Sequence, residues 1–226
     1  MSGKKVSLLY VDTEGFEGTG QADVYDDRIF ALSVLVSSTL VYNLPETVRE
    51  ADIEKLSFAS QLADEFYKRN QGRDKQHELA SLLWLIQRDF LEGKTVKQLV
   101  DNALDLVSNP SKDKHIDAVN QVREALKRVH THQAFGLRQP HLERTKLCDL
   151  ADSELDPLYL KQMASLREVV LRITKPKTIG RKHLTGSQFA EYFEQVSLSL
   201  VCWVCSCLCL CVVCVVFSRL GVVLVH

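Results

Sequence analysis

The chain has 226 residues, of which 46% are hydrophobic and 25% are charged, with 28 Lys and Arg against 29 Asp and Glu. This composition is typical of a globular protein and excludes collagen, a coiled coil and a disordered chain. The net charge of -1 gives no electrostatic reason to expect nucleic acid as a partner.

The averages hide a change in composition near residue 196. From Val196 onward the only Lys, Arg, Asp or Glu is Arg219, and six of the seven cysteines lie in this part of the chain. We therefore expect a body over residues 1–195 and a cysteine-rich apolar tail over residues 196–226. Residues 198–217 contain no charge, Gly or Pro, and a helix of this length crosses a hydrocarbon core of about 30 Å.

Three interpretations of the tail remain open: a transmembrane helix with acylated or buried cysteines, the product of an incorrect reading frame, or a core helix. Zinc binding by the tail cysteines is disfavoured, because so apolar a run lacks the polar groups that orient metal ligands. The body has one cysteine, Cys148, which suggests a reducing compartment. The expected location is a cytoplasmic body, attached to a membrane if the tail spans one.

The apolar pattern of the body alternates predicted strands with predicted helices. The predicted strands are 6–11, 38–42 and 79–86, and the predicted helices are 46–68, 95–107, 116–129, 156–171 and 185–193. Residues 29–36 fit either a helix or a strand, and 130–140 form a loop with a candidate edge strand. Thr185 and Gln188 have the spacing of a capping box for the last helix. This order predicts an α/β fold, a mostly parallel sheet with helices on both faces, followed by a C-terminal apolar helix.

The first predicted strand ends at the sequence Asp12-Thr13-Glu14-Gly15. In P-loop GTPases a D-x-x-G sequence at a strand end places its Asp near Mg²⁺ through a water and its Gly amide near the γ-phosphate. Asp12 is thus a candidate magnesium-side residue and Gly15 a candidate phosphate contact. An acidic turn at the end of a strand explains the same four residues without a ligand.

A second polar pair, Arg88-Asp89, follows the apolar run 79–86, where the ligand crevice of a parallel sheet lies. A carboxylate accepts hydrogen bonds from both N1-H and the exocyclic amine of guanine, and adenine offers no such pair of donors. Arg88 and Asp89 are therefore candidate guanine-binding residues. A surface ion pair or a helix-capping Asp is the alternative.

With these motifs in place, the chain resembles the GTPase domain of the guanylate-binding protein family, large dynamin-related GTPases whose relatives include the atlastins. The similar segments lie in family order across residues 6–196, and they read VDTEG, DDRIFALSVLVSSTLVYNLPETV, LLWLIQRDF, ELDPLYLKQM and LTGSQFAEYFEQV. The resemblance implies a P-loop GTPase-like fold that binds GTP or GDP with Mg²⁺ and associates with itself or with family members.

The resemblance also assigns roles to particular residues. It gives Asp12 the magnesium-side role, Gly15 the γ-phosphate role, and Arg88 and Asp89 the guanine-binding role. Residues 16–27 would be the switch, and 135–140 the guanine cap. In the cap, Arg138-Gln139-Pro140 stands where the family has an acidic and a basic residue before the proline, so no residue there is assigned a contact.

The printed sequence contains no G-x-x-x-x-G-K-[ST] phosphate loop, and the switch threonine and arginine finger of the family are also absent. Gly93-Lys94-Thr95 imitates the end of such a loop, but its first position is Arg88 instead of Gly, so we interpret Lys94 as a solvated helix-start residue. We expect GTP binding and hydrolysis that are impaired in this chain. The alternative is a non-catalytic interaction module, a membrane-tethered truncated relative that associates with full-length family members, or an incomplete gene model.

The histidines suggest a metal site only weakly. His130 and His132 are two residues apart and His141 is nearby, but no cysteine accompanies them. Solvated surface histidines explain this spacing better than zinc ligands do.

Overall fold

The computed structural model of the protein describes residues 6–13, 23–57, 80–87, 93–128, 133–147, 149–179, 182–202 and 220–225. The chain forms two compact units. The first comprises Met1–Leu40, Glu54–Ala80 and Thr174–His226, and the second comprises Val41–Ile53 and Ser81–Ile173.

Strands and helices alternate along the described residues. The strands are β1 (Ser7–Asp12), β2 (Thr39–Leu44), β3 (Ser81–Gln87), β4 (Gln133–Leu137), β5 (Thr178–Ile179), β6 (Lys182–His183) and β7 (Leu220–Val225). The helices are α1 (Asp23–Val36), α2 (50–57), α3 (Val96–Ala103), α4 (Lys114–Arg128), α5 (Pro157–Ile173) and α6 (Gly186–Cys202). Two short 3-10 helices, Arg144–Lys146 and Asp152–Glu154, precede α5.

In the second unit, β3 is the central strand of a parallel arrangement. It pairs in parallel with β4, from Leu83 opposite Gln133 to Gln87 opposite Leu137, and its other neighbour is β2. Residues 81–86 of β3 are all buried, as expected for a strand covered on both faces. Helices α3 and α5 pack against β4. The α/β class predicted from the sequence, a mostly parallel sheet with helices around it, is confirmed.

In the first unit, α1 packs against α6, and β1 pairs with the last strand of the chain. The pairing of β1 with β7 is antiparallel, from Ser7 opposite Val225 to Asp12 opposite Leu220, and β7 also pairs with β2 through Val222 and Thr39. Strand β7 is not among the strands that the apolar pattern predicts. Its three valines favour a strand and its glycine disfavours a helix, a signal that the apolar run before it obscures.

Several predicted elements are refined by the structure. Residues 29–36, left as helix or strand, belong to α1, and the candidate edge strand in 130–140 is β4. The final helix was expected to end near residue 193, but α6 continues to Cys202 and so enters the apolar tail. The predicted helix 46–68 begins later than expected, because residues 46–49 are not helical and α2 starts at residue 50; residues 58–68 lie outside the described part of the chain.

The predicted transmembrane segment 198–217 lies mostly in residues 203–219, outside the described part of the chain. Among the residues that the structure describes, no helix combines the length and the hydropathy that crossing a membrane requires. The division of the chain into a body over 1–195 and a tail over 196–226 stays a prediction.

Candidate functional site

The predicted magnesium-side residue, Asp12, is the last residue of β1 in the first unit. It is half-buried, and its backbone pairs with Leu220 of β7. The strand therefore delivers this carboxylate to its carboxyl end, as the D-x-x-G motif predicts. Gly15, the predicted phosphate contact, lies outside the described residues, as does most of the predicted switch 16–27, of which only the first turn of α1 is described.

In the second unit, the carboxyl end of β3 carries a polar side chain directly before the predicted guanine-binding residues. Gln87 is the first residue of β3 that is not buried, and its Nε2 donates a hydrogen bond to Oδ1 of Asn43 on β2 at 2.8 Å. This bond brings the carboxyl ends of the two strands together. Arg88 and Asp89 follow Gln87 in the chain but lie outside the described residues.

Sequence reasoning missed Asn43. The available signal was a polar residue near the end of a predicted strand, immediately before Leu44-Pro45. In the same two strands, the rings of Tyr42 and Trp84 have their centroids 5.6 Å apart, and the Tyr42 hydroxyl donates to the carbonyl of Asp52 at 3.3 Å. Among the residues that the structure describes, none is a hydrogen-bond partner of the buried indole nitrogen of Trp84.

The predicted guanine-cap region 135–140 consists of the end of β4 and the loop that follows it. The backbone N–H of Arg138 donates to Oε1 of Gln162 on α5 at 2.8 Å. The carbonyl of Pro140 accepts from the N–H of Asp156 at 2.8 Å, and Nε2 of Gln139 donates to the carbonyl of His141 at 2.7 Å. Two hydrogen bonds of the loop backbone, one to the side chain of Gln162 on α5 and one to the N–H of Asp156 just before α5, therefore fix the course of this loop.

Asp156 supplies the carboxylate near this loop. Its Oδ1 caps α5 by accepting from the N–H groups of Leu158 at 2.7 Å and Tyr159 at 3.2 Å. Its Oδ2 lies 4.0 Å from the guanidinium of Arg138, which is half-exposed. An ion pair at that separation and exposure contributes little to stability. The basic charge of Arg138 thus remains accessible at the carboxyl end of β4.

No metal centre stands out in the described ranges, which contain no group of three or more His, Cys, Asp or Glu able to hold an ion. His141 is engaged locally, since its Nδ1 accepts from the N–H of Glu143 at 3.0 Å. His130, His132 and the tail cysteines beyond Cys202 lie outside the described residues. Mg²⁺ in nucleotide sites is held by few carboxylates together with phosphates and water, so Asp12 alone fits the role of a contact through water but not of a complete site.

Comparison with known proteins places the chain in a family. The chain has a fold of the α/β class to which the P-loop GTPases belong. Residues 1–179 match the family model described as "Guanylate-binding protein, N-terminal domain". The chain belongs to the guanylate-binding protein family.

Individual relatives agree with this assignment. The chain is 28% identical to mouse guanylate-binding protein 4 over 193 residues, which are 76% of this chain and 30% of that protein. It is 26% identical to human guanylate-binding protein 3 over 194 residues, 77% of this chain and 32% of the relative. Human guanylate-binding protein 6 is 26% identical over 222 residues, 86% of this chain and 34% of the relative. The chain spans about a third of the length of these relatives.

Proposed function

We propose that the chain binds guanine nucleotides and hydrolyses GTP in the manner of a guanylate-binding protein GTPase domain. The observation that supports this most directly is the family match over residues 1–179, a range that includes every predicted nucleotide contact. The relatives carry guanylate binding in their names, and Asp12 and Gln87 each lie at the carboxyl end of a strand within their own unit, the end at which α/β domains bind ligands.

The proposed roles are those that the resemblance implies. Asp12 would hold Mg²⁺ through a water, and the amide of Gly15 would contact the γ-phosphate. Asp89 accepts from the two guanine donors, with Arg88 beside it. Mg²⁺ supplies neutralisation of phosphate charge when the nucleotide is bound, and water is the phosphoryl acceptor.

The 226 residues should perform this reaction poorly, because they contain no phosphate-loop sequence. The backbone amides and lysine of such a loop provide much of the attraction for the β- and γ-phosphates. We therefore expect no saturable GTP binding at micromolar concentration, and guanine-selective binding only at much higher concentration. Saturable GTP binding at micromolar concentration, measured by calorimetry, would show that the prediction of impaired binding is wrong.

The test compares GTP, ITP and ATP with Mg²⁺ over a range extending to millimolar nucleotide. Inosine keeps N1-H and lacks the exocyclic amine, so affinity should fall from GTP to ITP to ATP. In D89A the preference for GTP over ATP should fall at least about tenfold. Asp149→Ala is the matched control, because Asp149 is exposed and lies outside the predicted contacts. Equal binding of GTP and ATP by the unmodified chain would contradict the proposed function.

A second candidate function is a non-catalytic interaction module that associates with full-length family members, with the tail as a membrane tether. It is the function that remains if the 226 residues, which contain no phosphate-loop sequence, act on their own. This module would reside in the cytoplasm or on the cytoplasmic face of a membrane. It predicts that the chain binds a full-length guanylate-binding protein with the same affinity in the presence and absence of GTP, and that D89A leaves this affinity unchanged.

A further inference from the structure

In the first unit, the C-terminal end of α1 is capped by residues that are distant in the sequence. The last carbonyls of a helix have no partners within it, and positive charge is favourable near them. Helix α1 has no basic residue in its own last turn. The charge comes instead from Lys177 before β5, whose Nζ donates to the carbonyl of Ser37, the residue after α1, at 2.7 Å.

A second donor reaches the same end from α6. The hydroxyl of Tyr192 donates to the carbonyl of Leu35 at 3.0 Å. The ammonium of Lys177 lies 6.0 Å from the centroid of the Tyr192 ring, at the outer limit of a cation–π contact. We call these two side chains the Lys177–Tyr192 cap.

The cap is buried together with its acceptors. Lys177 is 4% exposed and Tyr192 is 5% exposed, while Leu35 and Ser37 are each 2% exposed. A buried ammonium group is costly unless hydrogen bonds compensate its loss of water, so its position is tied to the carbonyl it meets. The backbone around Lys177 is fixed as well, because its carbonyl accepts from the N–H of Leu184 at 3.0 Å.

We propose that the C-terminal end of α1 depends on the Lys177–Tyr192 cap, one donor of which comes from the segment before β5 and the other from α6, so that loss of either donor loosens this end of the helix. Both donors lie in the C-terminal part of the first unit, and both acceptors lie at the end of a helix that begins at Asp23, inside the predicted switch 16–27. The cap is thus a connection between the part of the chain that follows α5 and the helix whose first turn lies in the predicted switch. It requires no nucleotide and is independent of the proposed function.

The test is hydrogen–deuterium exchange of the full chain, followed at the amides of residues 33–37. Tyr192→Phe removes one hydroxyl and keeps the ring, so exchange of these amides should rise about fivefold, the effect expected from one hydrogen bond. Lys177→Met keeps most of the side-chain volume and removes the ammonium, and it should accelerate the same amides by a similar factor. The double variant should accelerate them more than either single variant.

Two matched controls separate the cap from general effects. Lys175→Met changes an exposed lysine two residues away, and Tyr159→Phe changes a half-buried tyrosine on α5. Neither control should alter exchange at residues 33–37. Removing a buried charge can raise global stability, so local acceleration in Lys177→Met without a lower melting temperature would favour the cap specifically. Unchanged exchange in the double variant, or equal acceleration at every amide of the chain, would overturn the proposal.

Discussion

Strands β1 and β3 have similar sequences and very different surroundings. Both begin with Ser-Leu-Leu, and the apolar runs of both predict buried strands. In β3 the residues from Ser81 to Ile86 are buried. In β1 no residue is fully buried, and Leu9 and Tyr10 are 44% and 52% exposed.

The difference comes from their neighbours. In the second unit β3 lies between β2 and β4, whereas β1 in the first unit is a terminal strand paired with β7. An apolar run predicts that a segment forms a strand, but the elements that cover it determine how much of it is buried. The candidate magnesium-side residue Asp12 therefore lies on the less covered of the two strands.

The largest effect on stability is expected from a leucine-to-alanine substitution in β3, and the matched substitution in β1 is its comparison. Leu83→Ala removes a side chain that is 0% exposed and should lower the free energy of unfolding by about 2–5 kcal/mol. Leu9→Ala removes one that is 44% exposed and should cost less than about 1 kcal/mol. Chemical denaturation of both variants measures the difference. Equal losses would show that β1 is as well covered as β3.

A smaller effect is expected from a polar contact that contributes to the stability of the second unit. The side chain of Arg123 on α4 is 3% exposed, and its guanidinium meets the carboxylate of Glu50 at the start of α2. Its Nε also donates to the carbonyl of Ala103 at 3.4 Å, and its Nη1 to Oδ1 of Asn120 at 3.3 Å. One buried guanidinium thus joins the ends of α2 and α3 to α4.

Glu50→Gln should lower the free energy of unfolding by about 1.5 kcal/mol, the low end for a hydrogen bond to a charged group, because Glu50 is half-exposed. The matched control is Asp105→Asn, which removes the carboxylate of the exposed pair with Lys127 and should cost about 0–1 kcal/mol. If chemical denaturation shows the same loss in the free energy of unfolding for both variants, the buried Arg123 contact contributes no more stability than an exposed ion pair.

Contacts between residues close in sequence could be predicted, and contacts between distant residues could not. The spacing of Thr185 and Gln188 predicts a capping box, and the structure has its two bonds, from Thr185 N–H to Gln188 Oε1 at 3.0 Å and from Gln188 N–H to Thr185 Oγ1 at 3.4 Å. The Lys177–Tyr192 cap spans most of the chain, and no periodicity or local spacing marks it. The bond between Asn43 and Gln87 is hidden for the same reason, because it depends on which strands become neighbours.

The smallest effect on stability is expected from removing a helix N-cap, and each unit contains such an N-cap. Thr95 caps α3 in the second unit, where its Oγ1 accepts from the N–H of Gln98 at 3.2 Å and its own N–H donates to Gln98 Oε1 at 2.9 Å. Thr185 makes the same pair of contacts with Gln188 at the start of α6 in the first unit. Either threonine changed to alanine should lower the free energy of unfolding by about 1 kcal/mol.

These two variants also distinguish how the units unfold. If the units unfold together, both substitutions should shift one common transition by similar amounts. If they unfold separately, thermal melts followed by calorimetry will show two transitions, with Thr95→Ala shifting only one and Thr185→Ala only the other. The Thr95 and Thr185 N-caps make nearly the same contacts. A difference between the two losses in free energy of unfolding would therefore come from the surroundings of each helix in its own unit. A larger effect from Thr185→Ala would indicate that α6 also supports α1 through the Lys177–Tyr192 cap.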